Sequence, residues 1–255
     1  MTNSDILRIA AQQSAIDLGC CAEDFFQEEN RIVRSAENEQ ARRYLKLPFA
    51  CNLVSYGSNI VASVSEEAEP AVAAYIGKYP FYHCFETPNL HALDDALYPL
   101  GLRSCFMAEY FLPDVSVLKP LPCRYETKLL TPEDFSGLYL PQWSNALCAA
   151  RPHLDVLAVG AYADGELIGL AGCSADCDTM WQIGIDVLPA YRRQGVASAL
   201  TSRLAAECLA RGKVPFYCAA WSNLRSVRNA IRSGFRPAWV ELTFKPADTV
   251  AEMNR

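Results

Sequence analysis

No run of this chain is apolar for long enough to cross a membrane, and its polar beginning, MTNSDILRIAAQQSAID, is unlike a secretory leader. No C-x-x-C pair occurs among the eleven cysteines. Cys173 and Cys177 stand four apart, but no second pair and no nearby histidine complete a zinc set, so no metal site is expected. The odd count, with Cys51, Cys105 and Cys218 in apolar, strand-like runs, fits free thiols and a reducing, cytoplasmic setting. An excess of positive charge is missing too. The net charge of −6 argues against nucleic acid as the main partner, and no membrane partner is expected.

What is present is an ordinary folding composition: 255 residues, 51% hydrophobic and 20% charged, enough for one large domain or two smaller ones. Charge is unevenly spread. Up to Lys119 there are nine basic and sixteen acidic residues, a balance of −7; beyond it fourteen stand against thirteen, a balance of +1. An acidic first half beside a neutral second half suits a cationic acceptor and an anionic cofactor held in different places, or simply keeps the protein dissolved. Pro113, Pro120 and Pro122 punctuate an extended segment, which sets the expected boundary between residues 1–118 and 119–255.

In the first half the pattern predicts a helix over 5–18 capped by Asn3 or Ser4, then two strands meeting at Gly57-Ser58. A short helix entered at Pro70, a strand at Phe81–Phe85, a helix from Thr87 to about Gly101 and a strand at Ser104–Phe111 follow. In the second half Arg124–Leu130 reads as a strand, and Thr131-Pro132-Glu133-Asp134 as a helix opening. Leu154–Tyr162 and Glu166–Cys173 read as a hairpin. Val214–Ala220 is a buried strand, residues 223–233 a helix, and Phe235–Phe244 closes the sheet.

The stretch Trp181–Ser198, WQIGIDVLPAYRRQGVAS, organises this half. Trp181, Ile183, Ile185 and Val187 alternate with Gln182, Gly184 and Asp186 as in a strand, and Pro189 ends the ladder because it has no N–H. Two arginines, Gln194 and Gly195 then open a helix running to about Arg211, with Val196, Leu200, Leu204 and Cys208 on one face. A basic turn at a helix start collects anions, since the first N–H groups lack partners and the dipole is positive there. Gly195 lets an oxygen approach the backbone without meeting a Cβ, and Ala197 keeps the wall low.

These residues resemble the GNAT acetyltransferase superfamily. Arg192-Arg193-Gln194-Gly195-Val196-Ala197 fits its [Q/R]-x-x-G-x-[G/A] pattern, and Val187-Leu188-Pro189-Ala190-Tyr191-Arg192 its lead-in. The likeness covers residues 124–245, and the two-part layout is similar to bacterial GNAT proteins of unassigned substrate. It implies an α/β (α+β) protein: a GNAT fold with a mixed, mostly antiparallel twisted sheet in the second half, plus an α+β first half that is itself a degenerate GNAT-like unit or an unrelated cover. It further implies acetyl transfer from acetyl-coenzyme A to a primary amine of a small molecule or peptide; a non-catalytic acyl-coenzyme A sensor is the alternative, and a homodimer is left open. By the resemblance, backbone groups of Ile185 and Val187 receive the pantetheine arm. The amides from Arg193 to Ser198, Val196 and Ala197 among them, take the pyrophosphate. Asn223 and Ser226 match the family's N-x-x-[AS], with a plain helix cap as the competing role for Asn223. Arg225, Arg228, Arg232 and Arg236 form either a solvated face or a contact to the adenosine 3′-phosphate.

Catalytic residues depart from the family pattern. The place of the usual Glu base is Trp181, and that of the usual Tyr acid is Ala230. Tyr217 and Ser222 are the candidate substitutes, Tyr217 as donor to the sulfur or as a core residue. Asp186 is expected to orient Arg192 or Arg193. His83 and Glu86, in FYHCFE, are a base only if the first half faces the acceptor; otherwise they are structural. No cysteine has an identifiable activating His, so the amine should attack directly.

Overall fold

A computed structural model describes residues 1–255. Thr2 Oγ1 accepts from the Asp5 amide at 3.2 Å and Asp5 accepts from the Thr2 amide at 2.9 Å, opening helix α1 (Asn3–Leu18) with a reciprocal cap. The cap falls one residue before Asn3, whose side chain is engaged with Asp114 and the Val115 amide instead. Strands β1 (Arg31–Arg34), β2 (Cys51–Ser55) and β3 (Val61–Val64) precede α2 (Glu69–Lys78) and α3 (Thr87–Leu97), each with a proline in its first turn. The expected strand at Phe81–Phe85 is a 3-10 turn, Phe81–His83. The His83 and Cys84 amides bond back to Pro80 and Phe81, and Tyr75 donates to the Cys84 carbonyl, so these groups go to local partners rather than a ladder.

Two twelve-residue strands, β4 (Leu102–Pro113) and β10 (Phe235–Pro246), frame the remaining elements. Between them lie β5 (Glu126–Leu130), the one-turn α4 (Pro132–Phe135), β6 (Asp155–Ala163) and β7 (Glu166–Ser174). Next come β8 (Met180–Val187), α5 (Val196–Ala210), β9 (Val214–Ala219) and α6 (Leu224–Arg232); α7 (Ala247–Met253), which the pattern did not announce, closes the chain.

The chain divides into two compact units, each built from separated segments. The larger joins Met1–Ala10 to Tyr110–Pro237, and the smaller joins Ala11–Glu109 to Ala238–Arg255. The single cut expected at 118/119 is therefore replaced by divisions inside α1, β4 and β10. The proline-marked segment is instead a connector within the larger unit, where the Leu121 amide donates to Ser202 Oγ at 3.0 Å.

In the smaller unit the strand order is β1-β3-β2-β10-β4, with β1 and β3 parallel and β2 antiparallel to both β3 and β10. Leu53, Val72, Leu93, Leu97 and Leu242 fill its core. Beside them Arg42 is buried with two acids: its Nε meets Asp17 and its Nη2 lies 2.8 Å from Glu241. His83 Nδ1 and Glu86 Oε1 are 2.9 Å apart in this unit, both partly exposed.

In the larger unit the order is β4-β9-β8-β7-β6-β5. Pairing is antiparallel from β5 to β8 and parallel between β8 and β9, the mixed, mostly antiparallel sheet the sequence suggests. Helix α5 buries Val196, Leu200, Leu204 and Cys208 against one face. Phe135, Trp143 and Leu147 cluster with Leu130, Ala158 and Leu170 in a separate core.

Candidate functional site

Strands β8 and β9 are paired only from Met180–Val214 to Gln182–Phe216, although β8 continues to Val187 and β9 to Ala219. Beyond that point β8 keeps its ladder with β7 as far as Val187. The Leu188 amide donates to the Ile168 carbonyl at 2.9 Å, which puts the even-numbered residues of β8 in hydrogen-bonded register with β7. Ile185 and Val187 consequently turn their N–H and C=O groups to the opposite edge, beyond the last pair with β9. A length of strand edge is left open beside the loop that follows. At its start Gln182 Nε2 reaches Cys218 Sγ at 3.1 Å, two residues sequence reasoning did not select.

The loop itself is built to expose amides. Arg193 has φ +61° and Gly195 φ +82°, left-handed conformations that turn successive N–H groups to one side. Helix α5 starts at Val196, and the first intrahelical bond involving the loop runs from the Ala199 amide to the Gly195 carbonyl at 3.0 Å. The six amides from Arg193 to Ser198 have no acceptor in the protein. A Cβ placed on Gly195 would meet nothing within 4 Å, so the space in front of the helix start is open.

Side chains of the loop have local tasks. Gln194 Oε1 accepts from Tyr125 Oη at 2.8 Å and its Nε2 donates to the Ala190 carbonyl at 3.1 Å. Tyr125 in turn packs edge-on against Tyr191. Arg192 Nε donates to the Val187 carbonyl at 2.9 Å, which removes that carbonyl from other use. Ser198 is buried and its hydroxyl donates to the Gly195 carbonyl. Of the expected anion-holding groups in the loop, the backbone amides are therefore free while most side chains shape the turn.

Asp186 does not orient either arginine. Its carboxylate accepts from the Asn145 amide at 2.8 Å, the Ala146 amide at 3.0 Å and Asn145 Nδ2 at 2.7 Å, pinning the segment after α4 onto β8. The fit is close: a Cβ on Gly184 would lie 1.7 Å from the Asn145 carbonyl oxygen, and one on Gly172 2.1 Å from that of Ala146. These partners lie some forty residues from Asp186, beyond the reach of local spacing. The isolated glycines inside two strands were the available signal for close backbone approach.

Of the catalytic candidates, Tyr217 is buried at 3% exposure, with its hydroxyl 2.8 Å from Ser226 Oγ and its ring against Phe111 and Phe235. Burial raises its pKa, the Ser226 hydrogen bond opposing, so the phenol stays protonated through neutral pH. Ser222 is exposed in the turn after β9. Asn223 caps α6, its Oδ1 accepting from the Ser226 amide at 3.3 Å. Trp181 packs at the edge of the α5 core, and Ala230 is buried. No group of three or more His, Cys, Asp or Glu is placed to hold a metal ion. All eleven cysteines are free, and no helix is long and apolar enough to cross a membrane.

A parted parallel pair, an amide-lined turn and a helix behind it form one continuous feature of the larger unit. Residues 124–235 match the model of the Acetyltransferase (GNAT) family, so this part of the chain is a domain of that family. No curated protein matches the chain. Among solved structures it is similar to a GNAT-family protein from Novosphingobium aromaticivorans DSM 12444, with 21% identity and a TM-score of 0.43 over 56% of this chain and 66% of that one. A GCN5-related N-acetyltransferase from Kribbella flavida gives 17% identity and a TM-score of 0.48 over 77% and 84%. An aminoglycoside N-acetyltransferase solved with CoA gives 22% and 0.36 over 48% and 93%. The chain thus spans just under two thirds of the Novosphingobium protein's length.

Proposed function

We propose that the protein transfers an acetyl group from acetyl-coenzyme A to a primary amine of a small molecule or peptide, by direct attack on the thioester, in a reducing cytoplasm. The observation that carries this reading is the end of the β8–β9 ladder at Gln182–Phe216, continuous with six unpartnered amides at the start of α5. The pantetheine arm supplies amide groups that add to the open edge as a further strand, with the Ile185 N–H and C=O and the Val187 N–H as partners. The pyrophosphate lies against the amides from Arg193 to Ser198, where the helix dipole favours negative charge. Asn223 and Ser226 flank the arm at the start of α6.

Acetyl-coenzyme A supplies the activated acyl group, and the remaining roles fall to this chain. Tyr217, kept protonated by burial, is the donor to the leaving sulfur through its hydroxyl. Ser222 lies at the parted end of β9 as a polar contact for the acceptor. Asp186 positions the Asn145–Ala146 segment as a wall on the other face of β8. A second reading, an acyl-coenzyme A sensor without turnover, draws support from Trp181 and Ala230 at the family's acid–base positions and from the engagement of Tyr217 with Ser226.

A ligand that binds only the folded protein raises its melting temperature, so acetyl-coenzyme A at a hundredfold excess over Kd should shift it by several degrees. No shift would remove both readings. With binding established, mass-detected acetylation of an amine panel separates them: product supports transfer, and none across aminoglycosides, polyamines and peptide N-termini supports the sensor.

A further inference from the structure

Between Leu188 and Val240 the chain carries nine basic residues and one acid, Glu207, in a protein whose net charge is −6. Three of those basic residues, Arg225, Arg228 and Arg232, follow one another at spacings of three and four along α6. All three are exposed, as are Leu224 and Ile231, each at 54%. The inner face of the helix is already committed. Ser226 meets Tyr217, Asn229 Nδ2 donates to Thr201 Oγ1 at 3.1 Å, and Ala230 is fully buried.

The outer face differs from four exposed arginines elsewhere in the chain. Arg8, Arg34, Arg211 and Arg236 each lie within ion-pair distance of a carboxylate. Arg225, Arg228 and Arg232 meet no acid and no other acceptor. At 1.5 Å per residue the row rises about 10 Å, more than one phosphate monoester spans, and a phosphate gains nothing from Leu224 or Ile231. A stripe of cations interleaved with aliphatic side chains complements a helix of acidic and apolar residues.

Position selects the partner. Helix α6 begins five residues after β9 ends, at the parted end of the β8–β9 pair. Whatever docks on its outer face stands beside the edge that receives a pantetheine arm in the acyl-transfer reading. We propose that this face docks an acidic carrier protein presenting the acyl group on a 4′-phosphopantetheine arm, and that such a carrier thioester is an acyl donor for this protein. The inference rests on that transfer reading. In the step, the amine nitrogen bonds to the thioester carbonyl carbon and the carbon–sulfur bond breaks. The thiolate leaves on the carrier's arm and takes its proton from Tyr217, and the proton the amine loses restores the phenol. The single phosphate of the arm uses the same amides as the pyrophosphate.

The test titrates purified acetyl-loaded holo acyl carrier protein, apo carrier and free acetyl-coenzyme A into the full chain and into Arg228→Glu/Arg232→Glu, by fluorescence anisotropy or calorimetry at two salt concentrations. The expected result is loaded carrier binding that falls about tenfold or more in the double variant and weakens with salt, while acetyl-coenzyme A binding stays within about twofold. Leu224→Ser/Ile231→Ser should weaken the carrier alone, with unchanged circular dichroism showing that both variants fold. Coenzyme A binding without carrier binding overturns the proposal and leaves the transfer reading intact. Equal loss of both ligands in the arginine variant also overturns it, assigning the row to the nucleotide's 3′-phosphate. Failure of both ligands on the unmodified chain removes the transfer reading and this inference together.

Discussion

The two units treat their polar groups in opposite ways. In the smaller one a charge as costly to bury as Arg42 is surrounded until it is satisfied: Asp17 and Glu241 share its guanidinium, Tyr44 Oη accepts from its Nη1 at 2.8 Å, and Trp239 Nε1 donates to Glu241 at 2.8 Å. In the larger one six consecutive amides and part of a strand edge are left without protein partners. Every helix start leaves its first N–H groups free, and here the left-handed Arg193 and Gly195 extend that series back into the loop, which is the feature the donor-site proposal rests on. The satisfied groups hold the fold, and the unsatisfied ones carry the donor-site proposal.

Removing one member of the satisfied network should give the largest effect. Arg42→Met leaves two buried carboxylates facing each other and should cost about 3–5 kcal/mol in urea unfolding; a loss under about 1 kcal/mol would mean the network is not a stabilising device. Gly195→Glu attacks the unsatisfied side. The left-handed φ costs about 1–2 kcal/mol there, and the carboxylate occupies the open space before α5, so acetyl-coenzyme A affinity should fall at least about a hundredfold by calorimetry. Retained affinity would detach the loop from the donor.

Asp186→Ala should cost about 1–3 kcal/mol by stranding the Asn145 and Ala146 amides, and speed hydrogen exchange across residues 143–147 while leaving donor affinity nearly unchanged. Tyr217→Phe should lower kcat by tenfold or more with little change in the donor's KM if the phenol protonates sulfur; equal rates would return Tyr217 to the core. The smallest effect belongs to Asp114, whose carboxylate is held down to about 2 by Ser116 first and Asn3 next. A depressed carboxylate contributes stability above its unfolded pKa of about 3.9 and loses it as pH falls toward 2. The ties to Asn3 and Ser116 should therefore weaken only below about pH 4, and Asp114→Asn should flatten that part of the unfolding profile.

Much of the larger unit was legible because its signals are local. Pro189, Gly195 and the alternation of β8 sit within eighteen residues and fix strand, turn and helix together. The partition of the chain was not legible, since the placement of β10 between β2 and β4 depends on pairings such as Leu242 with Leu53, nearly two hundred residues apart. The role of Asp186 was hidden for the same reason. The strand expected in FYHCFE failed differently: apolar spacing suited a strand, but the His83, Cys84 and Glu86 amides each found a partner three residues back.

The exchange of segments also sets a schedule for biosynthesis. Strand β10 is an interior member of the smaller unit's sheet, yet it begins at Phe235, long after β4 has ended at Pro113. Residues 11–109 must therefore wait with one edge of β2 and one of β4 unpaired while the intervening segment emerges. A truncation just before Ala238 would leave that early-made half permanently unfinished, and sticky at the gap.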